Sequence, residues 1–439
     1  MADPSPLPNA RCFEESERLL ARALQTIPLG TQTFSKSVTQ YPRGAAPFYI
    51  ARAKGSRCWD VDGNEYIDFV NALCAVSLGH NDPDVNRAVA AQMEDGVLFS
   101  LPHPVEIEVA ERIRDIVPCA EMVRFGKNGS DATAGAVRIA RAFTGRDRIA
   151  CCGYHGWQDW FIGTTTRNIG VPSATSALTH AFPYNDLKAL AALFAAHPGG
   201  IAAVIMEPMN VAEPEPGYLE GVKEMAHAHG ALLIFDEMIT GFRYANGGAQ
   251  AVFGVTPDLA CFGKALANGY PLSAIVGRGD VMRMMEDAFF SFTMGGETLS
   301  LAAAKAALDK VVGQPVTDTL AARGRVVMDG LAQRIARHGV SEFASVAGHP
   351  SWSFLMLSPA GGYTTYQIKT LLLQEMFARG VLALGTHNMS YAHGDDDIAW
   401  LLDAYDEVLP ILRDAVAGGT LQAQLRCEEL HPLFTLRSG

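Results

Sequence analysis

The chain has 439 residues, which is enough for a large hydrophobic core and for two or three domains. Hydrophobic residues make up 49% of it and charged residues 19%, which is an ordinary globular composition. The net charge is -12 and no basic block offsets it, so the chain is not a general nucleic-acid-binding protein. The longest apolar runs, such as 201–206, are far shorter than the ~20 residues that span a bilayer, and the first residues show no secretory signal.

The eight cysteines are scattered along the chain, and no two of them form a Cys-x-x-Cys pair. This distribution predicts reduced thiols in a cytoplasmic protein, with neither a disulfide framework nor a metal site.

Hydrophobic periodicity predicts a helix within 11–27 and short strands within 48–69 that turn at 62–64. Between 83 and 320, helices alternate with short apolar strands, a pattern typical of a mainly parallel α/β sheet with helices on both faces. The predicted strands are 148–152, 201–207, 231–236 and 273–277, and the predicted helices are 105–117, 130–143, 186–197, 219–229 and 298–312. We expect three segments: an N-terminal part of a small domain (1–82), a large domain (83–320), and a small α+β domain that ends in a tail from 420 (321–439).

Two residues near the ends of apolar strands carry the first chemical signal. Lys264 is embedded among Gly, Ala, Cys and Phe, and partial desolvation of its amine favours the neutral, nucleophilic form. Asp236 ends the apolar run 231–236, and a buried carboxylate is the partner that the pyridinium nitrogen of pyridoxal phosphate requires. Either residue alone is equally compatible with a structural ion pair.

Two further segments fit the same cofactor. Asn128, Gly129 and Ser130 follow a short strand and open a helix, where backbone N–H groups can hold a phosphate. Tyr154 and His155 follow the strand 148–152, and an aromatic ring there can stack on a flat cofactor. Because ligands collect at the carboxyl ends of strands in open α/β sheets, we expect these segments to converge on one pyridoxal 5'-phosphate site.

The chain resembles the class III, fold type I aminotransferases over roughly 15–415, and within them the glutamate-1-semialdehyde 2,1-aminomutase branch. The resemblance rests on these runs: WDVDGNEYID (59–68), LGH (78–80), YHG (154–156), PYND (183–186), MEP (206–208), LIFDEMITGFR (233–243) and FGK (262–264). It implies a large domain with a mainly parallel seven-stranded sheet and a small α+β domain built from the two chain ends.

The resemblance also implies roles for individual residues. Lys264 would hold the cofactor as a Schiff base and move the substrate proton, while Asp236 would keep the pyridine nitrogen protonated. Tyr154 and Met238 would pack on opposite faces of the ring. The phosphate would be bound by Gly129 and Ser130 and, across a homodimer, by Thr293 of the neighbouring subunit. Glu207 would lie near the O3′ side of the cofactor.

The departures from the aminomutase pattern concern the substrate. Where the aminomutase carries an arginine for the substrate carboxylate, this chain has Lys36, which offers a point charge instead of a bidentate fork. Leu73 replaces a tryptophan. The phosphate loop reads KNGSD (127–131) instead of the usual Ser-Gly-Thr-Glu, and the family's Gly-Asn-Pro is Gly-Glu-Thr at 296–298.

The resulting hypothesis is a transaminase that takes an amino group from L-glutamate and gives it to a keto-sugar or sugar nucleotide. The substrate candidates are mostly neutral hydrogen-bonding or aromatic side chains, namely Ser35, Lys36, Asn71, Trp157, His387 and Asn388. Arg243 is a further candidate for a carboxylate, with a structural role as its alternative. Three other hypotheses remain open: a true aminomutase, an ω- or β-amino-acid transaminase, and a catalytically inactive binding protein.

Overall fold

A computed structural model describes residues 11–431 of the chain. These residues form two compact units. The small unit comprises 11–71, 79–81 and 321–431, and the large unit comprises 72–78 and 82–320. The boundaries at 82/83 and 320/321 remain a prediction about domains.

The strands are β1 (Ile50–Lys54), β2 (Arg57–Asp60), β3 (Glu65–Asp68), β4 (Met122–Gly126), β5 (Arg148–Cys152), β6 (Thr179–Ala181), β7 (Ile201–Met206), β8 (Leu232–Asp236), β9 (Leu259–Phe262), β10 (Ser273–Gly277), β11 (Ala344–His349), β12 (Trp352–Leu357), β13 (Val381–Leu382) and β14 (Thr386–Asn388).

The α-helical segments are α1 (Glu14–Ala23), α2 (Asn71–Cys74), α3 (Pro83–Asp95), α4 (Pro104–Ile116), α5 (Gly129–Thr144), α6 (Asp159–Ile162), α7 (Ser173–Ser176), α8 (Leu187–Ala196), α9 (Tyr218–Ala228), α10 (Ala249–Phe253), α11 (Gly279–Met282), α12 (Thr298–Gly313), α13 (Val316–Arg337), α14 (Thr365–Ala378), α15 (Asp395–Ala417) and α16 (Leu421–Gln424). No helix within 11–431 is long and apolar enough to cross a membrane.

The large unit is built on a seven-stranded sheet with the order β4-β10-β9-β8-β7-β5-β6. Strands β5 to β9 run parallel to one another, whereas β10 is antiparallel to both β9 and β4. Every residue of β7 and β8 is buried, as expected for central strands covered on both faces. The predicted mainly parallel seven-stranded sheet is confirmed, with an antiparallel β10 that the alternation of helices and strands did not indicate.

The small unit contains two further sheets, with the orders β1-β2-β3-β13 and β11-β12-β14. Strand β13 pairs in parallel with β3, so residues near both ends of the chain share one sheet. In the predicted tail from 420, α16 forms and Leu421 and Leu430 are buried, so residues 420–431 are packed. Residues 432–439 lie outside the described part.

Two histidines of the small unit are fully buried and carry hydrogen bonds at both ring nitrogens. His387 contacts the Ser353 hydroxyl through Nδ1 at 3.0 Å and the Tyr405 hydroxyl through Nε2 at 2.8 Å. His393 accepts a hydrogen bond from the Ser390 N–H at 2.9 Å and stacks on Phe69. Burial lowers the pKa of His387 to about 3 and that of His393 to about 4, so both are neutral at physiological pH.

The segment α2 is a left-handed turn, with φ angles of 44, 48, 60 and 69° at its consecutive residues Asn71, Ala72, Leu73 and Cys74. Left-handed backbone costs a residue with a Cβ roughly 1–2 kcal/mol. Leu73, where the aminomutase pattern has a tryptophan, therefore lies in strained backbone of the kind that clusters at functional sites.

Candidate active site

Four adjacent parallel strands, β9, β8, β7 and β5, deliver the predicted residues to one edge of the sheet. Lys264 follows β9, Asp236 ends β8, Glu207 follows β7 and Tyr154 follows β5. Since the carboxyl ends of parallel strands meet at the same edge, the four side chains start from neighbouring positions. The structure thus brings together residues that are up to 110 positions apart in the sequence.

Asp236 is buried and held from two sides. Its Oδ2 lies 2.8 Å from Nδ1 of His155, and its Oδ1 accepts a hydrogen bond from the Met238 N–H at 3.1 Å. The other ring nitrogen of His155, Nε2, lies 3.1 Å from the carbonyl oxygen of Cys152, which can only accept. Nε2 therefore donates to that carbonyl, and the His155 ring is fixed between Cys152 and Asp236. His155 is 1% exposed, so it supports Asp236 from behind instead of lining an open site.

Glu207 is a half-buried residue whose carboxyl group lies beside Asp236. Burial raises its pKa to about 7, and the negative charge of Asp236 acts in the same direction. His155, Asn210 and Lys264 oppose this rise, and Nδ2 of Asn210 donates a hydrogen bond to Oε2 of Glu207. Near neutral pH, Glu207 can therefore either hold or release a proton.

The backbone opposite Glu207 must be a glycine. Gly153 has a φ of 105°, and a Cβ at this position would lie 3.0 Å from Oε2 of Glu207. Only a residue without a side chain adopts this conformation and approaches the carboxylate so closely without strain.

The predicted phosphate cradle lies between β4 and α5. Oδ2 of Asp131 accepts hydrogen bonds from the N–H groups of Lys127 and Asn128, at 3.2 and 2.7 Å, which fixes the turn. The first N–H groups of a helix have no intrahelical partner and attract anions, so the start of the 16-residue α5 suits a phosphate. A Cβ at Gly129 would lie 2.8 Å from Sδ of Met238, so a side chain at this position would require Met238 to move.

The segment that carries Tyr154 is tied to the start of α5. The Trp157 N–H donates to the Ser130 hydroxyl at 3.2 Å, and the Thr133 hydroxyl donates to the His155 carbonyl at 2.8 Å. The Tyr154 side chain is 48% exposed, and its ring packs edge-on against Phe161. Burial of the phenol and the nearby Asp236 raise the pKa of Tyr154, so its hydroxyl stays protonated at neutral pH.

Lys264 is half-buried and has a φ of 45°, a left-handed value that is uncommon outside glycine. The preceding Gly263 leaves space for the Met238 side chain, because a Cβ at position 263 would also lie 2.8 Å from Sδ of Met238. One edge of the sheet therefore carries an amine, a carboxylate, an aromatic ring and an anion cradle. These groups fit pyridoxal phosphate.

The predicted substrate residues divide into two groups. Trp157 in the large unit is 65% exposed. In the small unit, Lys36 is exposed and Ser35 is half-buried. By contrast, Asn71 and Asn388 are buried and paired within the small unit: Nδ2 of Asn71 donates to the Asn388 carbonyl, and Nδ2 of Asn388 donates to the Val70 carbonyl.

Two other substrate candidates also form hydrogen bonds within the protein. Both ring nitrogens of His387 are engaged, so none is left for a substrate. Arg243 is fully buried and donates to the Ser77 hydroxyl at 2.6 Å, which supports its structural alternative.

The comparisons with known proteins agree with this geometry. The sequence model of the class-III aminotransferases matches residues 40–351. A 3-aminobutyryl-CoA aminotransferase of Cloacimonas acidaminovorans is 35% identical over 90% of this chain and 96% of its own length. A glutamate-1-semialdehyde 2,1-aminomutase of Symbiobacterium thermophilum is 37% identical over 85% of this chain and 90% of its own.

A solved structure extends the agreement to the fold and the cofactor. The FumI protein of Sphingopyxis sp. MTA144, in its PLP internal aldimine form, is 30% identical and superposes with a TM-score of 0.85 over 92% of this chain and 97% of its own. The chain therefore belongs to the class-III aminotransferases, the fold type I enzymes whose cofactor is pyridoxal phosphate.

Proposed function

We propose that the chain is an aminotransferase that takes an amino group from L-glutamate and gives it to the carbonyl group of a separate acceptor. The observation that carries the proposal is the convergence of Lys264, Asp236 and Glu207 at neighbouring strand ends beside the cradle at Gly129. Pyridoxal phosphate, when bound, supplies an electron sink for the amino-bearing carbon.

The side chains at this edge supply the remaining chemistry. The Lys264 Nζ would hold the cofactor covalently and, once released, would carry the proton of the substrate Cα. Asp236, fixed by His155, keeps a proton on the ring nitrogen. Tyr154 and Met238 would pack against the ring, the start of α5 would hold the phosphate, and Glu207 would lie near the O3′ side.

The acceptor that we propose is a keto-sugar or a sugar nucleotide. Support comes from the accessible candidates Ser35, Lys36 and Trp157, which offer a hydroxyl, a point charge suited to a phosphate, and a stacking surface. Lys36 in place of the aminomutase arginine disfavours an intramolecular transfer on glutamate-1-semialdehyde.

A second candidate acceptor is a 3-oxoacyl thioester of coenzyme A, which would make the enzyme a β-amino-acid transaminase. The observation that favours it is the 35% identity to the relative that is named for 3-aminobutyryl-CoA. A coenzyme A thioester and a sugar nucleotide both carry phosphates, so Lys36 suits either acceptor.

Absorption spectra of the holoenzyme test the proposal directly. L-glutamate is expected to bleach the visible absorption of the lysine-bound cofactor, and a keto-sugar nucleotide is expected to restore it. Restoration by a 3-oxoacyl-CoA alone would establish the second candidate. A response to glutamate-1-semialdehyde but not to L-glutamate would identify an aminomutase. Failure of the protein to take up pyridoxal phosphate would leave the inactive binding protein.

We also propose a homodimer in which Thr293 reaches the cofactor of the neighbouring subunit. We propose a cytoplasmic location as well, because eight free thiols are typical of a reducing compartment. Thr293 is exposed, and large apolar side chains such as Leu101 (79% exposed) and Phe289 (78% exposed) lie in the same unit. A cavity of about 560 Å³ is lined by residues of α4 and β4 and by residues 290–292 and 295–296. Exposed apolar surface of this kind is typical of a protein interface.

Sedimentation velocity is expected to give twice the mass of the 47.1 kDa chain, and a monomer would contradict the proposal.

A further inference from the structure

An ion pair joins the phosphate cradle to a segment that is distant in sequence. Nζ of Lys127, in the turn before α5, lies 2.8 Å from Oε2 of Glu297, directly before α12. Both side chains are only 14% exposed, so water screens the pair far less than it would at the surface. Glu297 also directly follows the segment 291–296, which carries Thr293.

Each partner is fixed by further hydrogen bonds. The Lys127 N–H donates a hydrogen bond to Oδ2 of Asp131 at 3.2 Å, and this bond holds the backbone of the turn. Glu297 accepts from the Leu299 N–H at 2.7 Å and from the Ser300 hydroxyl at 2.6 Å, and thereby caps α12. Burial disfavours ionisation of Glu297, but the hydrogen bonds from Lys127, Ser300 and the Leu299 N–H, together with the Lys127 charge, lower its pKa on balance. The carboxylate is therefore charged at neutral pH.

The two charged residues lie in two of the segments where this chain departs from the aminomutase pattern, namely the phosphate loop at 127–131 and the run at 296–298. The structure brings these departures into contact as opposite charges. Their contact gives the paired substitutions a physical reason, because either charge alone would be left largely buried without a partner.

We propose that the Lys127–Glu297 pair is a positioning device that sets the phosphate cradle, so that affinity for the cofactor phosphate depends on both charges. This inference rests on the cofactor site proposed above. Neither residue is a catalytic residue. Glu297 acts on the cradle through Lys127, and Lys127 acts through the turn that presents the first N–H groups of α5.

A competing explanation of the Lys127 position predicts the opposite effect of Glu297→Gln on phosphate binding. If Lys127 simply attracted the phosphate, Glu297 would compete for it, and Glu297→Gln would strengthen phosphate binding. If Glu297 positions Lys127, the same variant weakens it. Glutamine still accepts hydrogen bonds at the start of α12, so the change removes mainly the charge.

The experiment is an equilibrium titration of the apoprotein, prepared from holoenzyme, with pyridoxal phosphate and with pyridoxal, which lacks the phosphate. We expect Lys127→Met and Glu297→Gln each to weaken binding of pyridoxal phosphate about tenfold and to leave pyridoxal unchanged. The double variant should be no weaker than either single one, because the two residues act as a unit. Lys127→Arg keeps the charge and should bind like the wild type.

The matched control is the exposed ion pair between Lys305 and Glu108 in the same unit. Lys305→Met with Glu108→Gln should change neither affinity. Tighter binding of pyridoxal phosphate by Glu297→Gln, equal losses for pyridoxal, or unchanged affinities in both single variants would each overturn the inference. None of these outcomes bears on the proposed function, which fails instead if wild-type protein takes up no cofactor.

Discussion

Replacing Lys264 by Ala is expected to lower turnover at least about 10⁴-fold, because the variant loses both the covalent bond to the cofactor and the proton-transferring amine. Lys264 lies half-buried after β9, beside Glu207, whose pKa its charge lowers. Turnover of L-glutamate with the acceptor identified above measures the effect. The visible absorption of the lysine-bound cofactor should disappear as well.

The control for this variant is Lys264→Arg. Arginine keeps the positive charge but does not lose its proton at accessible pH, so it supplies neither a nucleophile nor a base. We expect Lys264→Arg to be as inactive as Lys264→Ala, with circular dichroism and thermal midpoints close to the wild type for both. Substantial turnover in either variant would mean that another group performs the chemistry.

Asp236→Ala is expected to lower turnover about 10²- to 10³-fold, the usual cost of removing one electrostatic stabiliser from an active site. Without the carboxylate, nothing keeps the ring nitrogen protonated and the electron sink weakens. The cofactor should still bond to Lys264, so its visible absorption should persist while turnover falls. This combination distinguishes Asp236→Ala from Lys264→Ala.

A buried carboxylate elsewhere in the same sheet provides the comparison. Asp258 precedes β9 at the opposite edge, where it accepts from the Leu233 N–H at 2.8 Å and pairs with Arg278 at 2.6 Å. Asp258→Asn should lower the thermal midpoint without changing turnover per folded molecule. If Asp236→Ala also lost only stability, its role would be structural.

The sequence was informative where short-range pattern and parallel topology decide the structure. Strand β5 coincides with the prediction, and β8 differs from it by one residue, because apolar runs bounded by polar residues define buried strands. The convergence of Lys264, Asp236 and Tyr154 followed from the rule that parallel strands share a carboxyl edge. Residue type and position in the strand were enough for this part of the site.

The rest depended on tertiary contacts without a local signature. His155 and Asp236 are 81 residues apart and Lys127 and Glu297 are 170 apart, so no spacing rule pairs them. Asn71 and Asn388 resemble free polar residues in sequence, yet they satisfy the buried backbone of the small unit. Hydrogen-bonding side chains in loops serve the fold as readily as they serve a substrate.

The two buried histidines of the small unit link its stability to acidity. Above pH 6.5, the ordinary pKa of histidine, His387 and His393 are neutral in both the folded and the unfolded chain and contribute no pH dependence. Below it, the two histidines of the unfolded chain take up protons, whereas those of the folded unit stay neutral until the pH approaches their lowered pKa values, about 3 for His387 and about 4 for His393. Between about pH 6 and pH 4, folding stability should therefore fall by up to about 2.7 kcal/mol for each pH unit. Hydrogen exchange of the small unit measures this loss, and protection that is constant over the same range would contradict it.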